Sequence, residues 1–135
     1  MMISTKGRYA LRVLIDMAEH RTEGYIPLKV IAERQDISEK YLESSIVVLS
    51  KAGLLDGVRG KGGGYRLTKA PGEYSIGSIL KLTEGSLAPV PCIGDEKQCS
   101  RPNECRTHPV WQKLDRLIDD YVESVTLADL INNQV

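Results

Sequence analysis

The sequence predicts a mostly α-helical protein with a small β-hairpin. Apolar residues recur at helical spacing in two long stretches, 9–18 and 111–125. Between them, two short β-type segments flank a glycine-rich run at 60–64, which is the pattern of a hairpin. A length of 135 residues leaves room for one compact domain with one protruding element.

The N-terminal part predicts three helices. The first carries Tyr9 and its helically spaced partners and ends near Gly24, and Pro27 suits the start of a short second helix. Residues 36–38 interrupt the pattern, and Ser38 is a typical N-cap for a third helix that ends at Gly53. The inner side of the third helix should hold Tyr41, Leu42, Ile46 and Leu49. Two helices joined by a short turn form a helix-turn-helix, in which the second helix reads the DNA major groove.

Residues 54–59 and 65–68 are predicted to be short strands joined by the glycine-rich run. The resulting hairpin is a wing, with Arg59, Lys61 and Arg66 along it. Residues 1–70 are therefore interpreted as a winged helix-turn-helix DNA-binding region.

Residues 71–135 are interpreted as a second region, with a ligand-bearing loop and a dimerisation helix. A helix over about 76–83 leads into a loop from Ala88 to His108 with little regular structure. A long amphipathic helix follows, and Thr126 is expected to cap a last turn, 127–131. The long helix has more apolar positions than a small core can bury, which favours a dimer seam over a core helix of a monomer. The predicted seam residues are Trp111, Leu114, Leu117, Ile118 and Tyr121.

All three cysteines lie in the loop, and His108 follows the last of them. Cys92, Cys99, Cys105 and His108 are separated by six, five and two residues. Thiolates with an imidazole suit an iron–sulfur cluster or zinc, and the missing tight C-x(2–4)-C pair favours the cluster. Structural zinc and unligated thiols are the alternatives.

Charge is divided unevenly along the chain. Residues 1–70 carry 12 Lys/Arg against 8 Asp/Glu, a net of +4, whereas residues 71–135 carry 6 against 10, a net of −4. The basic part is the better candidate for contact with a polyanion. No apolar run is long enough for a membrane span, and an odd cysteine count disfavours a disulfide framework, so a cytoplasmic protein is expected.

The chain resembles the IscR-type iron–sulfur cluster regulators, which are winged-helix repressors of bacteria. The resemblance covers essentially the whole chain and is carried by four segments: 4–10, 58–65, the Cys/His set, and 126–134. It implies a homodimer held by the long C-terminal helix, a palindromic double-stranded DNA operator, and a cluster on three cysteines and a histidine. The cluster is expected to be 2Fe–2S, with 4Fe–4S as the alternative.

Two departures from the family pattern matter. The first two cysteines are separated by six residues rather than the five of the best-known members, which affects the loop geometry and the cluster type. Residues 44–50 also lack the Gln and extra Arg residues that relatives usually carry. A different operator sequence and weaker major-groove binding are therefore expected.

The predicted DNA contacts fall into two groups. Base reading is assigned to the third helix and to Arg59 in a narrow minor groove, and phosphate contact to basic residues of the first helix and the wing. The full set is Lys6, Arg8, Ser38, Glu39, Lys40, Glu43, Ser44, Arg59 and Lys61. Lys51 and Arg66 are weaker candidates for phosphate contact.

The function expected from these patterns is transcriptional regulation, mainly repression, controlled by a cluster that senses redox, iron or cluster status. A metal-free thiol or cysteine-metabolism repressor is one alternative. A protein-binding adaptor for enzymes of cluster assembly or sulfur metabolism is another. An enzyme is not expected, because no nucleophile–base pair is suggested.

Overall fold

The computed structural model describes residues 3–94 and 104–135, which form a mostly helical protein with one two-stranded antiparallel hairpin, as the sequence predicts. The elements in chain order are α1 (Thr5–Glu19), α2 (Leu28–Gln35), α3 (Glu39–Lys51), β1 (Leu55–Val58), β2 (Gly64–Leu67), α4 (Ile76–Glu84), α5 (Pro91–Gly94), α6 (His108–Ser124) and α7 (Leu127–Ile131). The short α5 lies in the loop that was expected to have little regular structure. No helix within these residues is long and apolar enough to cross a membrane.

Helix α1 lies at the centre of the core. Ser4 is its N-cap, and the Ser4 Oγ accepts a hydrogen bond from the Gly7 amide at 3.1 Å. The helix packs against α2, α3, α4 and α7, so its apolar side is covered by several elements of its own chain. The core side chains with the least exposure are Ala10, Val13, Leu14, Met17, Ile31, Leu42, Leu49, Tyr74, Ile79 and Leu127.

An ion pair between a buried carboxylate of α1 and a partly exposed arginine of α2 fixes the two helices against each other. Asp16 is 1% exposed, and its carboxylate accepts hydrogen bonds from Arg34 at 2.6 and 3.1 Å and from Gln35 Nε2 at 3.0 Å. A buried carboxylate is tolerated only where it is paired and hydrogen-bonded. The position of α2 is therefore set by polar contacts as well as by packing.

The turn into α3 confirms the predicted break. Asp36 adopts the left-handed conformation at φ 54°, and Ser38 caps α3 by accepting from the Tyr41 amide at 3.3 Å. The buried side of α3 consists of Leu42, Ser45, Ile46 and Leu49. The prediction that Tyr41 lies on this side is wrong, since Tyr41 is 68% exposed. One residue turns an α-helix by about 100°, which places Tyr41 to the side of the buried stripe.

The hairpin pairs Leu55 with Leu67 and Val58 with Gly64. Ile26 adds a third backbone segment, since its amide donates to the Tyr65 carbonyl at 2.9 Å and its carbonyl accepts from the Tyr65 amide at 2.8 Å. A Cβ on Gly64 would lie 2.3 Å from the carbonyl carbon of Ile26. Glycine is therefore required for this close approach.

Tyr74 connects the base of the hairpin to the start of α4. Its side chain is buried, and its hydroxyl donates to the Leu54 carbonyl at 2.8 Å. The same oxygen accepts from the Thr68 amide at 3.0 Å and the Lys69 amide at 3.2 Å. One side chain thus satisfies three backbone groups.

The end of the chain returns to the core. Val125, expected in the long helix, is extended and buried, and its carbonyl accepts from the Ile76 amide at 2.8 Å. Thr126 caps α7, as predicted, and it forms a capping box with Asp129. Leu127 is fully buried in the core next to α1.

Candidate DNA interface and metal site

The outer edge of α3 presents polar residues to solvent. The predicted base-reading positions on it are all exposed: Ser38, Glu39, Lys40, Glu43 and Ser44. Two of them also have local roles, since Ser38 is the N-cap and the Ser44 hydroxyl donates to the Tyr41 carbonyl at 3.2 Å. Glu39 lies in the first turn, where a negative charge is favoured by the helix dipole.

A hollow of about 500 Å³ lies between α1 and α3, and sequence reasoning did not predict it. Its lining residues are Thr5, Lys6, Tyr9, Tyr41 and Ser44. The hollow joins the start of α1 to the outer edge of α3. The signal that could have indicated it is the 100° offset of Tyr41 from Leu42, which places Tyr41 beside the buried stripe of α3.

The wing carries its basic residues at its tip. Arg59 and Lys61 are exposed, and Gly60 and Gly62 adopt positive φ angles of 92° and 80°. A Cβ on Gly63 would lie 2.2 Å from the Val58 carbonyl oxygen, so glycine makes this tight turn sterically accessible. The glycine run thus makes a narrow tip on which two cations are displayed.

Arg66 is engaged within the protein rather than held free at the wing. Its Nε lies 3.4 Å from Asp56 Oδ2, and its guanidinium lies 4.5 Å from the centre of the Tyr25 ring. The Tyr25 hydroxyl donates to Asp56 Oδ2 at 2.8 Å, and this bond raises the pKa of the phenol. The cluster leaves Arg66 less available to a phosphate than Arg59 or Lys61.

The other predicted phosphate contacts lie at helix ends. Lys6 is half-buried and Arg8 is exposed in the first turns of α1, where Arg8 donates to the Thr5 hydroxyl at 3.1 Å. Lys51 is exposed in the last turn of α3. There a lysine is favoured by the helix dipole without any DNA contact.

The Cys/His set is described in part. Cys92 is half-buried in α5, Cys105 is exposed, and His108 is the half-buried first residue of α6. Cys99 lies outside the described residues. Among 3–94 and 104–135, no three His, Cys, Asp or Glu residues are grouped as they would be around a metal ion.

Two local features bear on the chemistry of this set. The Cys105 Sγ lies 3.1 Å from the Thr107 hydroxyl, and this contact, aided by the amides of Thr107 and His108, lowers the pKa of the thiol. The Nδ1 of His108 is buried and has no hydrogen-bond partner within the described part of the chain. A buried ring nitrogen is ordinarily satisfied by a partner. Thiols together with an imidazole nitrogen that has no partner within the described residues are donor types that fit an iron–sulfur cluster.

Helix α6 has an uncovered apolar stripe. None of its residues is buried, and it packs on α4 and α5. The predicted seam residues Leu114, Leu117 and Tyr121 are between 38% and 59% exposed, as is Val110, while Trp111 and Ile118 are half-buried. The other side of α6 faces α4, where Lys81 pairs with Asp119 and, at 2.9 Å, with Glu123.

Comparison with protein families gives one match over nearly the whole chain. The model described as "Rrf2: Iron-dependent Transcriptional regulator" matches residues 3–133. A protein of Erwinia tasmaniensis named HTH-type transcriptional regulator IscR is 42% identical over 134 residues, which are 99% of this chain and 81% of that protein.

Solved structures share the fold. The structure of T. potens IscR superposes with a TM-score of 0.79 at 37% identity, covering 100% of this chain and 89% of that one. The structure of CymR, the global cysteine regulator of B. subtilis, gives a TM-score of 0.81 at 35% identity and covers 98% of both chains. Both likenesses extend over the helices, the wing and the C-terminal segment alike.

Proposed function

Because the chain belongs to the Rrf2 family of iron-dependent transcriptional regulators, we propose that it is a repressor whose operator affinity depends on an iron–sulfur cluster. Membership of this family makes it a DNA-binding transcriptional regulator and not an enzyme. The observation that carries the proposal is the pairing of a capped, outward-facing α3 with a basic wing tip. It would bind DNA in the bacterial cytoplasm.

DNA recognition is proposed to divide between α3 and the wing. Lys40, Glu43 and Ser44 are the major-groove readers, since lysine bonds guanine and glutamate accepts from cytosine. Arg59 at the exposed tip is assigned to the minor groove, and Lys6, Arg8 and Lys61 to phosphates. Ser38, which is the N-cap of α3, and Glu39 in the first turn border the same edge and would stay within reach of the DNA backbone.

The partner of α6 is proposed to be a second copy of the chain. The apolar stripe repeats at helical spacing along one side and is uncovered in the described protomer. A two-fold axis along this stripe would also supply the symmetry that a palindromic operator requires. Trp111 and Ile118, half-buried already, would lie at the border of the seam.

The cluster is proposed to be held by Cys92, Cys99, Cys105 and His108. The open Nδ1 of His108 and the donor types support this assignment. A bound cluster, 2Fe–2S or alternatively 4Fe–4S, would supply reversible redox chemistry and a dependence on iron and sulfide. The ligand positions lie between the end of α4 and the start of α6, so binding a cluster there would act on both helices.

The first experiment addresses the cluster. Protein purified without oxygen should absorb above about 400 nm and contain matched iron and acid-labile sulfide. His108→Ala and Cys99→Ala should lose this absorbance, while His20→Gln, which changes the other histidine, should retain it. A colourless wild type after reconstitution, or a full cluster in the Cys99 variant, would contradict the assignment.

A second experiment addresses DNA. A duplex selected from a random library should bind with an affinity that differs between the cluster-loaded and metal-free protein and falls as salt rises. Arg59→Ala should weaken binding about tenfold or more, and Lys113→Ala on α6 should change it little. Equal affinities of the two forms would contradict control by a cluster, and absence of any selected sequence would favour an adaptor.

A metal-free regulator of cysteine metabolism is the second candidate. The similarity to the global cysteine regulator CymR favours it. In that case the three cysteines would respond as thiols, operator affinity would change with a thiol oxidant, and iron would have no effect.

A further inference from the structure

A polar contact joins the end of α4 to the beginning of α1. The Glu84 Oε1 accepts hydrogen bonds from the Ser4 amide at 2.9 Å and from the Ser4 hydroxyl at 2.6 Å. The Ser4 hydroxyl oxygen also accepts from the Gly7 amide, so one side chain caps α1 and donates to Glu84. Ser4 and Glu84 are 80 positions apart in sequence. We call Ser4, Gly7 and Glu84 the α1–α4 latch.

Gly7 is the residue that makes room for this contact. A Cβ at position 7 would lie 2.3 Å from Glu84 Oε1 and 3.0 Å from Thr83 Oγ1. Glycine inside a helix is unfavourable relative to alanine. Glycine is therefore needed in the first turn of α1, because the Glu84 carboxylate lies where the Cβ of any other residue would be.

On one side of the latch lies the reading surface. The Lys6 carbonyl, two residues after Ser4, accepts a hydrogen bond from the buried Ser45 hydroxyl of α3 at 3.1 Å. Lys6 also lines the hollow that Tyr41 and Ser44 border from α3. The first turn of α1 thus supports the recognition helix directly.

On the other side lies the segment that carries the cysteines. Gly85 ends α4 at φ 78°, Leu87 is anchored in the protein interior, and Cys92 follows in α5. Glu84 is therefore the last helical residue before the ligand-bearing segment. The latch stands between that segment and the reading surface.

We propose that Glu84 is a positioning residue for DNA binding, acting through Ser4 to hold the first turn of α1 beneath α3. This inference deepens the proposed function and rests on it. A change in the segment after α4 would reach the reading surface by tightening or releasing the latch. Glu84 itself does not contact DNA in this scheme.

The test uses the full-length, metal-free protein and a selected operator duplex. Glu84→Ala should speed hydrogen exchange of the amides at 7–9 and weaken operator binding about tenfold, which is the scale of the two lost hydrogen bonds. Glu84→Gln retains a carbonyl oxygen that can accept both bonds and should bind within about twofold of wild type. Glu19→Ala, in the last turn of α1, is the control for loss of a negative charge.

Gly7→Ala provides an independent variant. Alanine favours the helix, yet its Cβ expels the carboxylate, so this stabilised helix should show the same loss of binding. The double variant Gly7→Ala, Glu84→Ala should bind the operator no more weakly than either single variant, because both substitutions break the same contact. This arm remains informative if Glu84→Ala fails to fold.

Unchanged binding and exchange in Glu84→Ala, or an equal loss in Glu19→Ala, would overturn the latch. Removing a negative charge raises the affinity for DNA in general, so a specific loss cannot come from charge alone. If wild type binds its operator equally with and without a cluster, the proposed function fails, while the latch is still decided in the metal-free protein. If wild type responds to the cluster but Glu84→Ala binds the operator as wild type does, the latch is refuted and the proposed function stands.

Discussion

Helices α1 and α6 are similar in sequence pattern and opposite in environment. Both are amphipathic, with 15 and 17 residues. Helix α1 buries seven residues and is covered by four other helices, whereas α6 buries none and is supported from one side. Periodicity indicates that a helix has an apolar side, and it does not tell whether the covering surface belongs to the same chain.

The difference implies two kinds of stability. The α1 core should be independent of protein concentration, because its buried residues pack against other helices of the same chain. The stripe on α6 should contribute free energy only when a partner covers it, and that contribution depends on concentration. Variants in the two helices can therefore be compared directly.

The largest effect is expected for Leu14→Ala in α1. Leu14 is fully buried, and a cavity of that size costs about 2–5 kcal/mol of unfolding free energy. Urea unfolding at several protein concentrations should show the same loss at each. If the loss disappeared on dilution, the α1 core would itself depend on a partner.

A smaller loss of unfolding free energy is expected for Tyr74→Phe, which tests the junction between the hairpin and the start of α4. Removing the hydroxyl leaves the backbone groups of Leu54, Thr68 and Lys69 short of one partner, at about 1–3 kcal/mol. Tyr65→Phe in the hairpin is the control for loss of a tyrosine hydroxyl. An equal effect of the two variants in urea unfolding would show that the buried hydroxyl is not special.

Local chemistry made much of the fold predictable. Ser38, Pro27 and Thr126 were identified from capping preferences, and the structure confirms the helices they begin. The glycine run indicated the wing, and three of its glycines adopt the positive φ angles that such a turn requires. In each case the cause lies within a few residues of the effect.

Contacts between distant segments were not predictable in this way. The Tyr74 hydroxyl reaches a carbonyl 20 positions away, Arg66 is held by Tyr25 and Asp56, and Glu84 reaches Ser4. Each depends on how separate elements pack. The wrong prediction for Tyr41 has a local cause, because Tyr41 lies next to the buried stripe of α3 and just outside it. The DNA-contact and ligand sets remain predictions.

Leu117→Ala tests the uncovered stripe. Leu117 is 59% exposed in the protomer, so burying the remainder against a partner is worth about 1–2 kcal/mol per protomer. Sedimentation should show the monomer–dimer equilibrium shifted toward monomer, while unfolding at high dilution should match wild type. Arg116→Ala, at an exposed position of the same helix off the stripe, is the control. An unshifted equilibrium would place the dimer contact elsewhere.

The smallest effect on stability is expected for the polar contacts that hold α6 against α4. Glu123 accepts from Lys81 and from the Ser75 hydroxyl, each at 2.9 Å, and these bonds lower its pKa from the ordinary value of 4.5. A carboxyl whose pKa is lower in the folded state stabilises it above pH 4.5, and this contribution is lost as pH falls through the folded pKa. Because the pair is partly exposed, Glu123→Gln should cost less than about 1 kcal/mol at pH 7. The gap to wild type in urea unfolding should therefore close as the pH falls below 4.5, whereas a gap that stays constant would mean that packing, and not charge, holds α6 to α4.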